Sequence, residues 1–368
     1  MKKILSLLVV FIPMLLFGQV NIKIYFDNQQ DSVFYLLKYR GSKTTVVDTA
    51  YLQKGMFRFK AKNKFPEGIY ILTNENDFPL TEILIGKDQR FSMIINEFDN
   101  SNPIKVRGSK ETGNYLKMMD NLSNNDADLD QYKVRRKDAL INLVIKSLKK
   151  HDFQHYWDDF PLNDKRILTY PLIDNKLETY FDALPANADI INQEIDKLIA
   201  KAGDCVDVRD YLIWYFYRKY YSPEYMNLDD VYIHLVDEYF LKLEMDHVTD
   251  RIKYMMAERA NYLEHLKIGA KLPEIGNLHS IDNEYVVVFF YDKTCNKCMK
   301  DRKILDEIQS RHPEMTVFPV EINSTGIENL LSLYDIQTTP TIYVLDKQKH
   351  IIAKRISVEQ VERVLNMD

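Results

Sequence analysis

A pair of cysteines between a strand pattern and a helix pattern constrains the fold of this chain more than any other feature. Residues 285–290 form an unbroken apolar run, which is typical of a strand buried on both faces of a sheet. Cys295 and Cys298 follow with the spacing C-x-x-C, and helical periodicity continues to about Arg311. The sequence therefore predicts a strand that leads into a loop with two thiols at the start of a helix.

The rest of the C-terminal region follows in the order of an α/β domain. The patterns predict a strand at 315–321, a helix at 326–334, strands at 341–345 and 351–354, and a last helix from residue 358. The order βαβα followed by ββα predicts an α/β domain, for which residues 268–368 are the expected limits.

Two upstream regions have different periodicities. Between residues 19 and 110, short runs of alternating apolar and polar residues are separated by turn residues, which predicts an all-β sandwich. Between residues 111 and 267 the period becomes helical, as in the stripe formed by Ile191, Ile195 and Leu198. The expected fold class is therefore multidomain, with an N-terminal all-β sandwich, an α-helical middle domain and a C-terminal α/β domain.

The first eighteen residues read as a secretory signal peptide. Lys2 and Lys3 precede a mostly apolar run at residues 4–17, and Gly18 supplies the small residue expected near the cleavage site. The run is shorter than the roughly 20 residues of a spanning helix, although an uncleaved signal anchor remains an alternative. No cysteine lies nearby to carry a lipid anchor, so the mature protein is expected in the periplasm or cell envelope, where disulfides are permitted.

Charge and motif content exclude several function classes. The 49 lysine and arginine residues against 54 aspartate and glutamate residues give a net charge of −5, which offers no electrostatic reason to bind nucleic acid. The chain has no phosphate-binding glycine loop, dinucleotide fingerprint or nucleophile elbow, so nothing points to nucleotide or serine-hydrolase chemistry. Of the three cysteines, Cys205 lies far from the other two in sequence, and we expect a buried, inert thiol there.

The C-x-x-C pair is the candidate for covalent chemistry. At a helix start, the helix dipole and free backbone N–H groups favour a thiolate on Cys295, and Cys298 lies one turn further along. Such a thiolate attacks a disulfide, and the second thiol then resolves the mixed disulfide. Two alternatives stay open from the residues alone. One is a purely structural disulfide, and the other is half of a zinc site, for which His279 and His312 lack a ligand spacing.

The C-terminal region resembles the thioredoxin-fold domains of the TlpA/ResA-like group, which are extracytoplasmic thiol–disulfide oxidoreductases. The residues that carry this resemblance are Cys295, Cys298, Thr339, Pro340, Thr341 and the segment 269–273. The upstream regions are similar to uncharacterised β and helical domains that precede such domains in secreted bacterial proteins. The pattern Y-W-x-x-F-P-L at 156–162 carries the helical part of that similarity.

The resemblance implies a reaction and its partners. It implies a thioredoxin-like fold and a redox-active disulfide between Cys295 and Cys298 whose reduced, dithiol form reduces protein disulfides, with no organic cofactor or metal. The implied partners are protein disulfide or dithiol substrates and an upstream membrane or periplasmic electron donor. It also makes Pro340 a cis-proline that, together with Thr339, faces the substrate segment.

Asp301 is the third candidate catalytic residue. The TlpA/ResA-like group often has an acid three residues after its second cysteine, and that acid takes the proton of the inner thiol. Spacing supports the placement, since Cys298, Asp301 and Leu305 share one helix face. The alternative is a solvated Asp301 that pairs with Lys297 or Arg302.

Three departures from the pattern favour a rival function. Phe289 stands where thioredoxins carry a buried acid, Thr294 stands where a tryptophan often precedes the first cysteine, and Lys303 replaces the usual helix proline. The rival is a binding or scaffold protein whose thioredoxin domain no longer turns over. In that case the two upstream domains carry the function.

Overall fold

A computed structural model describes most of the chain. The described residues are 19–27, 31–76, 78–96, 104–122, 128–149, 151–223, 225–323 and 329–366. The chain divides into two compact units, residues 1–181 and 182–368. The expected signal peptide at 1–18 lies outside the described residues, so its cleavage near Gly18 stays a prediction. Within the described part, no helix combines the length and apolar character needed to cross a membrane.

Two four-stranded sheets form the β part of the first unit, as far as the structure describes it. The strands are β1 (Asn21–Phe26), β2 (Val33–Arg40), β3 (Lys43–Tyr51), β4 (Phe57–Phe59), β5 (Gly68–Asn74), β6 (Pro79–Ile85), β7 (Arg90–Ile95) and β8 (Ile104–Arg107). Their orders are β4-β1-β7-β8 and β3-β2-β5-β6. Alternate side chains such as Phe91 and Met93 are buried, and those of both sheets form one apolar core.

Short helices complete the first unit. They are α1 (Lys110–Leu122), α2 (Leu140–Leu148), α3 (Leu172–Asp182) and two 3-10 helices, Leu129–Tyr132 and Lys165–Thr169. Helix α1 packs on β6, where the Thr112 hydroxyl donates to the Leu84 carbonyl at 2.8 Å. Pro161 and Pro171 lie outside these helices, which is consistent with helices that prolines keep short.

Four helices open the second unit, as far as the structure describes it. They are α4 (Ala188–Ala202), α5 (Val206–Tyr220), α6 (Asp229–Leu235), which continues into a π-helical turn at Val236–Phe240, and α7 (Asp250–Glu264). Asn187 caps α4 by accepting from the Ile190 backbone N–H, and Gly203, at φ 54°, ends it. The stripe predicted on α4 is buried as its spacing requires. The expected domain limits at 110/111 and 267/268 follow changes of secondary structure and stay predictions.

A third sheet forms the rest of the second unit in the expected element order. Its elements are β9 (Tyr285–Tyr291), α8 (Asn296–Arg311), β10 (Met315–Glu321), α9 (Leu330–Leu333), β11 (Thr341–Leu345), β12 (Ile351–Lys354) and α10 (Val358–Leu365), after a 3-10 helix at Leu278–Ser280. The strand order is β10-β9-β11-β12, with β9 parallel to β10 and antiparallel to β11. Part of the predicted 326–334 helix lies outside the described residues.

The central strand β9 is buried on both faces. Val286, Val288 and Phe290 belong to one core, which also contains side chains from α9. Val287 and Phe289 belong to a second core with side chains from α8 and α10. This alternation explains the unbroken apolar run in the sequence and agrees with a multidomain fold of several sheets and helices.

A network of buried charges joins α6 and α7 to this sheet. Asp229 at the start of α6 accepts hydrogen bonds from Lys354 and Arg355, and the Lys354–Asp229 distance is 2.5 Å. Asp335 accepts from Arg355 and from Arg259 of α7, both at 2.8 Å. Both carboxylates are at least 97% buried, since Asp229 is 3% and Asp335 is 1% exposed. Each buried charge in the network therefore has an opposite charge within hydrogen-bond distance.

Removing the Asp229 charge is expected to destabilise the second unit. Burial disfavours the carboxylate, but Arg355 and Lys354 outweigh this and hold the pKa of Asp229 below its usual range. The Asp229 carboxylate therefore stabilises the fold fully above its unfolded pKa, which is near 4. This contribution to the free energy of unfolding is lost as the pH falls through the lower, folded pKa. Asp229→Asn should lower the free energy of unfolding by about 3–5 kcal/mol at neutral pH. It should also make the decrease in stability at acidic pH smaller. Urea unfolding at several pH values measures both effects.

Asp230→Asn is the matched control. Asp230 is the next residue on the same helix, is partly exposed and pairs with Lys267 at 2.9 Å. Its replacement should cost less than about 1 kcal/mol. Equal losses for the two variants would contradict the structural role given to the Asp229 network.

Candidate active site

The two cysteines lie at the junction of β9 and α8. Cys295 is the N-cap of α8, and its sulfur accepts from the Cys298 backbone N–H at 3.1 Å. The two residues form a disulfide, with their Cα atoms 5.3 Å apart. Cys295 is partly exposed, whereas Cys298 is 1% exposed. The outer sulfur is thus open to a partner and the inner sulfur is shielded.

Asp292 orders the loop between β9 and Cys295. Its carboxylate accepts from the backbone N–H and the hydroxyl of Thr294, each at 2.7 Å. It also accepts from the Asn323 side chain at 2.8 Å, which links the loop to the end of β10. The Thr294 hydrogen bond contributes most to holding the pKa of Asp292 below its usual range. Asp292 belongs to none of the motifs read from the sequence, although an Asp two residues before Thr294 is a common Asx-turn signal.

The segment at 339–340 lies against the outer sulfur. The Thr339–Pro340 peptide bond is cis, as the resemblance implied. The Thr339 carbonyl oxygen lies 3.7 Å from the Cys295 sulfur. The Thr341 hydroxyl donates to the Thr338 carbonyl at 2.6 Å and closes the turn on its far side. The fold therefore brings Thr339 and Pro340 beside a cysteine that precedes them by more than forty residues.

Asp301 is buried one turn after Cys298 on the same helix face. Its exposure is 7%, and its side chain faces the core that contains Cys298 and Phe289. Burial raises the pKa of Asp301 above its usual range, against the opposing charge of Lys297. Arg302 pairs instead with Asp306, at 2.9 Å. Asp301 is therefore shielded from solvent in this structure, and its role as the proton acceptor for Cys298 stays a prediction.

Three other residues considered in the sequence, Thr294, Lys303 and Cys205, are exposed or partly exposed. Thr294 and Lys303 are exposed. Cys205 is a free thiol of intermediate exposure, which corrects the expectation of a buried one. It occupies the N-cap position of α5, where its side chain makes no capping hydrogen bond, and does not pack in a helix interior. Among the described residues, no group of three or more His, Cys, Asp or Glu side chains is arranged to hold a metal ion.

Strand order and the cis-proline together identify the fold of the last hundred residues. The central strand β9 leads into Cys295-x-x-Cys298 at the start of a helix. Strand β10 pairs with β9 in parallel on one side, and β11, which follows cis-Pro340, pairs with β9 antiparallel on the other. This region has a thioredoxin-like fold.

Two family models match separate parts of the chain. Residues 19–115 match a domain of unknown function, DUF4369, and residues 265–358 match TraF, described as an F plasmid transfer operon protein. Each match spans about a quarter of the chain. No curated protein matches it.

Several solved structures are similar to parts of the chain. A thioredoxin-like protein from Bacteroides caccae is 15% identical, with 64% of this chain and 97% of that chain covered and a TM-score of 0.48. A domain described as a possible thiol-disulfide isomerase from Cytophaga hutchinsonii is 27% identical, covering 27% and 92%, with a TM-score of 0.25. The thioredoxin domain of a thiol-disulfide oxidoreductase from Bacteroides vulgatus is 19% identical, covering 27% and 96%, with a TM-score of 0.26.

In the reduced protein, Cys295 is expected to be the fast-reacting thiol. Its position at the start of α8 and the Cys298 N–H bond both stabilise a thiolate, so its apparent pKa should lie below the value of about 8.5 for a free thiol. Alkylation rates against pH, read peptide by peptide by mass spectrometry, test this. Cys298 should react slowly because it is buried, and Cys205 provides an internal reference. A Cys295 that alkylates no faster than Cys205 would contradict the prediction.

Asp301→Asn should slow the step in which Cys298 attacks. With the aromatic disulfide DTNB, the reduced protein carrying Cys205→Ser, which removes the free thiol, releases one thionitrobenzoate when Cys295 attacks and a second when Cys298 resolves the mixed disulfide. The second phase should slow by roughly 10²-fold and lose its dependence on a group of raised pKa, while the first phase is unchanged. Asp306→Asn, on the exposed face of the same helix, is the control. A second phase that is unaltered in Asp301→Asn excludes the proton-transfer role.

Proposed function

We propose that this protein is a thiol–disulfide oxidoreductase that works outside the cytoplasm and reduces disulfide bonds in other proteins. The observation that carries the proposal is the Cys295–Cys298 disulfide at the start of α8, with the Thr339 carbonyl 3.7 Å from the outer sulfur. The thioredoxin-like fold of the region supports it. The domain layout that we propose is a β-sandwich, a helical middle region and this catalytic domain, in that order.

The reaction begins with the reduced dithiol. The Cys295 thiolate attacks one sulfur of a substrate disulfide, forms a mixed disulfide and releases the other substrate sulfur as a thiolate, which takes up a proton. The N-cap position of Cys295 supports this role, since a backbone N–H and the helix dipole both stabilise the attacking charge. Thr339 and cis-Pro340 offer backbone groups beside the sulfur, and an extended substrate segment pairs with them.

The second step regenerates the oxidised protein. Cys298 loses its proton to the Asp301 carboxylate and attacks the Cys295 sulfur, so the Cys295–Cys298 disulfide forms and the second substrate thiolate leaves. Two electrons have then passed from the dithiol to the substrate. A dithiol donor protein in the membrane or periplasm must return them through a second exchange at the same pair. The low exposure of Cys298 supports this order, because only Cys295 is open to partners.

A non-turnover scaffold is the competing function, and a trapping experiment separates the two. Cys298→Ser should accumulate mixed disulfides through Cys295 in the native cell-envelope extract, because the resolving thiol is missing. Cys295→Ser should trap far fewer partners, because Cys298 is buried. Non-reducing gels followed by mass spectrometry measure both. If Cys298→Ser traps nothing, the scaffold function replaces the catalytic one.

A further inference from the structure

A cleft of about 320 Å³ lies in the second unit between helices α5 to α7 on one side and α9 with the segment that follows it on the other. Its walls are mainly aromatic and apolar side chains, among them Tyr221, Tyr232, Met255, Leu331 and Ile336. The volume is at the lower end of ligand pockets, which suits one or two large side chains rather than an organic cofactor.

Large apolar side chains stand exposed at this cleft. Met255 of α7 is 57% exposed and Leu331 of α9 is 48% exposed. Exposed methionine and leucine facing tyrosine rings form a surface that adapts to an apolar partner group. Glu258 and Gln337 also line the cleft, so polar groups accompany its apolar surface.

The buried charge network holds the cleft in shape. The Arg259 guanidinium lies 3.9 Å from the Tyr221 ring centre and 4.5 Å from that of Tyr232. The same group donates to the Tyr221 carbonyl at 2.7 Å and to the Asp335 carboxylate at 2.8 Å. The helical wall and the loop wall are thereby tied to each other, so binding requires little reorganisation.

The loop wall of the cleft continues directly into the active-site segment. Gln337 lines the cleft, and Thr339, whose carbonyl lies beside the Cys295 sulfur, follows two residues later. Two residues span at most about 7 Å. An extended chain that runs along residues 335–339 therefore reaches the cleft about three to five residues from the cysteine that bonds to Cys295.

We propose that this cleft binds a large apolar side chain, preferably aromatic, of the protein segment that is bonded through its cysteine to Cys295. The inference rests on the proposed function and adds a substrate preference to it. The apolar lining, the exposed Met255 and Leu331, and the continuity of the wall with Thr339 favour such a side chain as the occupant. Recognition then depends on a position in the substrate that is several residues away from the reacting sulfur.

A set of single-cysteine peptides tests the proposal. Each peptide carries thionitrobenzoate on its cysteine and one Phe, placed two to six residues before or after that cysteine, in an otherwise Ser- and Thr-rich chain. In single turnover with the reduced full-length protein carrying Cys205→Ser, thionitrobenzoate is released when Cys295 bonds to the peptide, and mass spectrometry records the Cys295–Cys298 disulfide that follows. Phe at one favoured spacing should raise the second-order rate constant about tenfold or more over the all-polar peptide.

Charged substitutions at the exposed rim locate the effect. Met255→Glu and Leu331→Glu should remove the preference for Phe while leaving the rates with the all-polar peptide and with DTNB unchanged. Tyr254→Glu is the matched control, because Tyr254 is 67% exposed on the same helix and does not line the cleft. It should keep the preference.

The outcomes separate the two proposals. Equal rates for all peptides, or a Phe preference that persists in Met255→Glu and Leu331→Glu, would overturn the proposal that the cleft binds the substrate side chain. If no probe, DTNB included, yields the Cys295–Cys298 disulfide, the proposed function itself fails and the substrate preference fails with it. If Tyr254→Glu also abolishes the Phe preference, the effect is a general one of negative charge on α7. That result likewise overturns the proposal that the cleft binds the substrate side chain.

Discussion

Strand β9 carries apolar side chains toward both faces of its sheet, so the fold must cover both faces. Helices α8 and α10 pack over one face, while α9 and apolar residues such as Leu272 and Leu278 pack over the other. With both faces closed, a reacting group beside this strand reaches solvent at the strand end, where β9 leads into the loop before Cys295. The thiols meet the cis peptide at that end for this reason.

The buried ion network is the second constraint. It fixes the position of the loop through directional hydrogen bonds rather than by adding net stability. Three cations and two carboxylates out of water are not more stable than a well-packed apolar core. Hydrogen bonds to a carboxylate are directional, however, and Asp335 receives them from Arg259, Arg355 and Gln337. The loop that begins at Asp335 is held by these bonds from both the helical layer and the sheet, and the same loop ends at Thr339.

The site also shows how a missing acid changes the chemistry available to the inner thiol. Phe289 fills the strand position where thioredoxins carry a carboxyl group, and it is 1% exposed. An apolar neighbour at that position disfavours a charged sulfur on Cys298. Asp301 is buried on the helix face that also carries Cys298, and burial raises the pKa of its carboxyl group above its usual range. We propose that this carboxyl group, one turn after Cys298 on the helix, serves as the proton acceptor for the inner thiol.

Local patterns in the sequence determined β9, the helix that follows Cys295 and the face on which Asp301 lies, because side-chain periodicity reports which face of an element is apolar. Only the tertiary structure decided that Thr339 lies beside Cys295, that Asp229 pairs with Arg355 from 126 residues away, and that α7 and α9 enclose a cleft. It likewise decided that α1 to α3 belong with the first two sheets and α4 to α7 with the third. Periodicity shows that a face must be covered, but not by what. The covering element is set by the packing of the whole chain, since contacts between distant segments depend on every other element being in place.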